Sequence, residues 1–288
     1  MSEREQIEFG KQALEHLPVE KAPDAIWASI ERALDQKAAP GRARFSRWGW
    51  ALAAAALAAL TGLVYWTIAH PGGWIETDAH TRRTIEVGQI GSVEVEPGTR
   101  VRVVADRPNE HRLDLAHGEI RAKISAPPKL FFVDTAAGTA VDLGCEYTLT
   151  DDDLGRGMLT VTRGWVSFQW KGLESLVPAG ASCRTHPRIG PGIPYFDDAP
   201  DGFKQAVENF VLGQDRGSAL NAMLAQARVR DTLTLWHLLQ RVEASDRERV
   251  YDRMAALSPP PDGVSRERAL ALDPEALKLW KDDLAWKW

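Results

Sequence analysis

The run HRLDLAHGEIRAKI, His111–Ile124, decides how the central part of this chain is read. Leu113 and Leu115 alternate with Arg112 and Asp114. Beyond His117-Gly118, Ile120, Ala122 and Ile124 alternate with Glu119, Arg121 and Lys123. A period of two, apolar against charged, predicts half-buried antiparallel sheet with one face on a core and the other in water. His117-Gly118 breaks the alternation and predicts a turn. The pattern extends both ways. SVEVE sets Val93 and Val95 against Glu94 and Glu96, and TRVRVV sets Val101 and Val103 against Arg100 and Arg102. KLFFVDT, TAVDLG, EYTLT, MLTVTRG, WVSFQW and SLVP follow, with Pro97-Gly98 and Lys171-Gly172 as further turns. Many short strands with regular turns predict a mainly β domain over residues 74–185, an antiparallel sandwich, barrel or β-solenoid.

After the link HPRIGPGIPYFDDAP the period becomes helical. DGFKQAVENFVLG places Phe203, Ala206, Val207, Phe210 and Val211 on one face. RDTLTLWHLLQRV does the same with Leu235, Trp236, Leu239 and Val242. In SDRERVYDRMAAL, Ser245 suits an N-cap and Glu248 the capping-box position. DPEALKLWKDDLAWKW offers Asp273 as N-cap, Pro274 in the first turn and a stripe of Leu277, Trp280 and Leu284. Residues 200–288 are therefore expected to form an α-helical region of four or five helices.

Upstream, WGWALAAAALAALTGLVYWTIA, residues 48–69, holds no charged residue over 22 positions. As a helix it is about 33 Å long, enough for a hydrocarbon core of about 30 Å. Trp48 and Trp50 at one end, and Tyr65 and Trp66 at the other, suit the two headgroup regions. Lys37, Arg42, Arg44 and Arg47 precede it, whereas 70–80 carries no Lys or Arg. The positive-inside rule predicts a single-pass inner-membrane protein with its N-terminus in the cytoplasm and everything after Ala69 in the periplasm. Ala54, Ala58 and Gly62 form a small-residue stripe through which two such helices could associate.

The cytoplasmic segment, residues 1–47, is too short to bury much of a core. In APDAIWASIERAL, Ile26, Trp27, Ile30 and Leu34 share a helical face, expected to seek a partner groove. The net charge of −5 gives no nucleic-acid signature.

The β region resembles the FecR-like domain. LAHGEI (115–120), LFFVDT (130–135), AVDLGCEYTL (140–149), LTVTRGWVSF (159–168) and LVPAGASC (176–183) match that family's strand patterns in order and approximate spacing. Gly144-Cys145 stands where the family has Gly-Thr, and the early Asp-Gly-Ser turn is absent. The resemblance implies a bacterial inner-membrane regulator. Its periplasmic β-domain would sense an outer-membrane transporter or another envelope cue, and its cytoplasmic segment would bind an extracytoplasmic-function sigma factor. No cysteine precedes Cys145, so the zinc-binding His/Cys pattern of many anti-sigma factors is missing. The alternative is an envelope scaffold whose β-domain binds a periplasmic protein or glycan without sigma-factor control.

No catalytic, cofactor or metal constellation is visible. His111 and His117 near a turn lack further ligands, and Asp151–Asp153 lacks the alternating oxygens of a calcium loop. Cys145 beside Glu146 has no neighbour that would lower its pKa. Two readings of it stay open: a small buried residue, or half of a disulfide with Cys183, the only other cysteine.

Overall fold

The computed structural model describes residues 73–288. The expected membrane span and the cytoplasmic segment with Ile26, Trp27, Ile30 and Leu34 lie outside these residues. Among the described residues, no helix is long and apolar enough to cross a membrane.

Among the described residues fourteen strands come first. They are β1 (Ile75–Glu76), β2 (Arg83–Val87), β3 (Gly91–Val95), β4 (Arg100–Arg107), β5 (Glu110–Ile124), β6 (Phe131–Thr135), β7 (Gly138–Asp142), β8 (Glu146–Asp151), β9 (Gly157–Arg163), β10 (Trp165–Trp170), β11 (Leu173–Pro178), β12 (Ala181–His186), β13 (Gly190–Pro191) and β14 (Tyr195–Phe196). The run at His111–Ile124 corrects the reading from sequence, because His117-Gly118 is no turn. It lies inside the 15-residue strand β5. The first half of β5 pairs with β4 and, in parallel, with β6, and that sheet continues through β7 and β10 to β11. The second half pairs with β3 and β8, and that sheet continues through β9 to β12. Gly118 is where one strand leaves the first sheet and enters the second. The two sheets close on a shared core, in a nearly closed, barrel-like arrangement. The β5–β6 pair departs from the expected all-antiparallel arrangement.

Chain length explains the bend. A straight strand would place Ile124 about 43 Å from His111. The connection from Ile124 to Phe131 reaches at most about 25 Å, yet Phe131 is in register with His111. The strand must therefore fold on itself, and Gly118 lets it do so with φ +103°. A Cβ there would lie 2.5 Å from Thr99 Cα. Thr99 holds the corner, its hydroxyl accepting from Glu119 N–H (2.9 Å) and donating to Glu119 O (3.1 Å).

The alternation read from sequence sorts inside from outside. Leu113, Leu115, Ile120, Ala122 and Ile124 are buried with Phe131, Leu149, Leu159 and Phe168 in one core. Full burial of each larger side chain is worth about 1.5–3 kcal/mol before ordering costs.

Six helices follow among the described residues: α1 (Asp201–Val211), α2 (Arg216–Gln226), α3 (Thr232–Leu239), α4 (Ala244–Leu257), α5 (Arg266–Leu270) and α6 (Pro274–Leu284). They enclose a second core around Phe203, Phe210, Leu235, Met254 and Trp280. α6 is capped as its sequence predicts, Asp273 accepting from Ala276 N–H at 2.8 Å. Two readings change. α2 has only Ala219, Leu220 and Met223 buried, too short a stripe to stand out in sequence. α4 starts at Ala244 after Glu243, because Asp246 N–H already bonds Glu243 O; Ser245 is inside the helix and is not its cap.

Candidate interaction site

The outer face of the first sheet carries an open groove. Register aligns Arg102, Asp114, Asp134, Thr139, Gln169 and Glu174 in one row across six strands. Arg102 bonds Asp114 (2.6 Å), and Arg112 grips both oxygens of Asp134 (2.8 and 2.9 Å). Arg112 also lies 4.6 Å over the Phe132 ring, and Lys171 Nζ lies 4.5 Å over Trp170. The tight Lys171-Gly172 turn, both residues at positive φ, brings this lysine over the ring. Between Phe132, Val141, Gln169, Trp170 and Leu173 lies a cleft of about 480 Å³. A second cleft of about 280 Å³ continues past Leu173 and Glu174 to Trp236, Gln240 and Arg241 of the helical region. Among the described residues, Lys171 and Arg241 form no ion pair. The side chains of Phe132, Trp170 and Leu173, the Lys171 cation lacking a carboxylate and a row of hydrogen-bonding side chains can bind an extended chain.

The helical region is joined to this face by buried polar contacts that sequence periodicity did not reveal. β11 ends the first sheet. Its Leu176 N–H donates to Nε2 of His237 (3.0 Å), whose Nδ1 faces Leu233 O at 2.9 Å. That pattern fixes a neutral ring with its proton on Nδ1. Burial and the nearby Arg241 push His237 down to about 3. Arg241, one turn on, donates to Pro191 O, Gly192 O, Glu174 O and Ser175 Oγ at 2.7–3.1 Å. No carboxylate answers it, and burial lowers its pKa to about 10. Nearby, fully buried Asp231 accepts from Arg228 Nε (2.8 Å), and Arg228 Nη2 reaches Asp198 (2.9 Å). Trp288 packs against both cores, its ring 6.0 Å from Trp165 and 6.4 Å from Trp236. The sequence signal for these contacts was thin: a histidine and an arginine four apart next to an apolar helical stripe.

Cys145 and Cys183 are both buried free thiols. Cys183 is in register with Leu159, and Leu159 with Leu149. Cys145 thus lies two strands across and four residues along, roughly 16 Å away by strand geometry. A disulfide needs Cα atoms about 4.4–6.8 Å apart. Of the two readings, the small buried residue is the one this geometry accommodates. The Cys145 thiol donates to Asp142, and burial with that carboxylate raises its pKa far above the ordinary thiol range. Burial pushes Cys183 up to about 12. Neither is poised as a nucleophile. His111 bonds Asp106 (2.6 Å), and Asp152 caps its own loop through Leu154 and Arg156 N–H. Among the described residues, no three His, Cys, Asp or Glu side chains are grouped to hold a metal.

Asp151 opens a run of three aspartates, yet it is 4% exposed. On β8 it follows Tyr147 and Leu149 to the inner face. The Ala136 and Asp152 amides offset part of the cost, but neither carboxylate oxygen gains a well-formed hydrogen bond. Burial pushes its pKa from 3.8 up to about 6. The folded state therefore holds the proton more tightly. Its contribution is best below about pH 4 and is lost as pH rises through 6. Asp151→Asn is expected to raise stability by about 2 kcal/mol at pH 7.5 and by less at pH 4.5. Urea unfolding midpoints at the two pH values check this.

Residues 74–167 match the family described as FecR protein. The match covers β1 to the start of β10, and the remaining strands complete the same two sheets. Two solved structures, each described as "a putative anti-sigma factor" from Parabacteroides distasonis ATCC 8503, are similar to part of this chain. One is 13% identical, covers 47% of this chain and 64% of its own, and has a TM-score of 0.38. The other is 14% identical, covers 52% and 74%, and has the same TM-score. This chain thus spans 64% of the length of the first. No curated protein matches by sequence. Over residues 74–167 the chain is thus similar to FecR protein.

Proposed function

We propose that this protein is a single-pass inner-membrane signalling regulator that controls an extracytoplasmic-function sigma factor. Its β-domain and helical region receive a cue in the periplasm, and the segment around Trp27 holds the sigma factor in the cytoplasm. The observation that carries the reading is the similarity to FecR protein over residues 74–167 following an uncharged stretch, residues 48–69, with basic residues on its N-terminal side. The groove from Phe132 to Trp236 supports a binding role for the outer domain, with an envelope protein as its partner.

A peptide of residues 1–47 used as bait in a lysate is expected to retain a sigma factor, and Trp27→Ala is expected to lose it by at least ten-fold, as removing a buried aromatic anchor costs about 2 kcal/mol or more. Recovery of no sigma factor by the unaltered peptide, in parallel with an intact signalling effect after deletion of residues 2–36, would instead establish the scaffold role.

A further inference from the structure

We propose that protonation of His237 releases α3 from the edge of β11, making the joint between the helical region and the β-domain acid-sensitive. β10 covers one side of β11, and among the described residues no strand covers the other. The backbone groups of alternate residues on that open side need partners. α3 and the turn after it supply them with side chains in place of a strand. Nε2 of His237 accepts from Leu176 N–H, and Nη2 of Arg241 donates to Glu174 O. The two residues are four apart, one helical turn, and the two backbone groups are two apart, one strand period. The helical region thus caps the edge as a neighbouring strand would, with one acceptor and one donor.

The cap depends on a lone pair. Nδ1 of His237 already serves Leu233 O, so an added proton goes to Nε2. A ring N–H would then face the Leu176 N–H, and the edge amide would lose its acceptor inside the protein. The charged groups facing the ring are Arg241 on its own chain segment and Glu174 on β11. β13 adds only the Pro191 carbonyl, which Arg241 takes, and Gly192 just after it a second. The Glu174 carboxylate is engaged by Ser167 and Gln169 on β10, so Arg241 repels a new positive charge with little to offset it. Linkage gives the same sign. The ring binds its proton near its ordinary 6.5 when released and only near 3 when docked. The joint is therefore at full strength above about pH 6.5 and weakens steadily below it. Asp151 has the opposite dependence, so a loss in acid confined to β11 is distinct from general acid unfolding.

Amide hydrogen exchange of the full chain in detergent micelles tests this, with rates corrected for intrinsic pH dependence. Between pH 7.5 and 5.0, protection at Leu176 is expected to fall about thirty-fold, the factor by which a free imidazole is protonated at pH 5. Leu149 and Leu159 in the other sheet should keep theirs. His237→Gln, whose side-chain carbonyl can still accept from Leu176, is expected to abolish the pH dependence, whereas His186→Gln should leave it in place. Unchanged protection at Leu176 would overturn the proposal, as would an equal loss at Leu149, or a pH dependence that persists in His237→Gln. Should that variant not fold, the contrast between Leu176 and Leu149 in the unaltered chain decides alone.

Discussion

Alanine at position 118 is expected to destabilise the fold by about 4 kcal/mol, enough to unfold much of the chain at 37 °C. Two costs combine. Gly118 has φ +103°, a conformation that side-chain-bearing residues rarely adopt and that costs about 1–3 kcal/mol. The new Cβ would also meet Thr99 Cα at 2.5 Å and its Oγ1 at 2.4 Å. Thr99 is 1% exposed and bonds the backbone on both sides of Glu119, so it cannot retreat without breaking the corner. Overpacking of this kind typically adds about 1–3 kcal/mol. Urea unfolding followed by tryptophan fluorescence should show a large drop in midpoint. As a comparison, Gly98→Ala has open space and meets only the backbone penalty of φ +68°, so about 1 kcal/mol is expected there. Equal effects at the two positions would mean that the corner at Gly118 is not tightly packed.

Arg241→Ala is expected to cost about 3 kcal/mol and, more tellingly, to uncouple the two halves of the described structure. The guanidinium bonds four oxygens of the β-domain from a single side chain in the turn after α3. Bonds to a charged donor contribute about 1.5–3 kcal/mol each before solvent exposure and the cost of burying the charge are set against them. Gly192 O keeps the Ser175 hydroxyl as a donor, but Glu174 O and Pro191 O lose theirs. With the clamp gone, the helical region should melt at a lower temperature than the β-domain, giving two calorimetric transitions in place of one. Arg241→Lys should restore little, because one ammonium cannot span the four acceptors. A single transition at an unchanged temperature in Arg241→Ala would show that the clamp does not hold the halves together.

The contrast between these positions shows what was legible in advance. Alternation in His111–Ile124 identified the inward apolar side chains, because a strand's two faces are set by a period of two alone; buried His111 was not among them. The stripes of α1 and α6 were equally plain: Phe203, Val207 and Phe210, and Leu277, Trp280 and Leu284, are all buried. Strand order was not legible. The parallel pairing of β5 with β6 joins segments whose contact leaves no periodic trace. The groove was illegible for the same reason, since its row runs across six strands and each contributes one residue. Asp151 misled because three consecutive aspartates look like a solvated turn, and only the register of β8 turns the first of them inward.

For this chain the sequence by itself determined which residues face inward, where the strands give way to helices, and which strand patterns carry the FecR resemblance. Those are local properties, set by side-chain polarity and backbone period. Tertiary structure alone decided what His117-Gly118 does. Read locally, a histidine and a glycine between two alternating runs are a turn. In the fold, the short connection to Phe131 obliges the same two residues to stay in one strand and bend it. A single continuous segment thereby belongs to both sheets and closes the core between them.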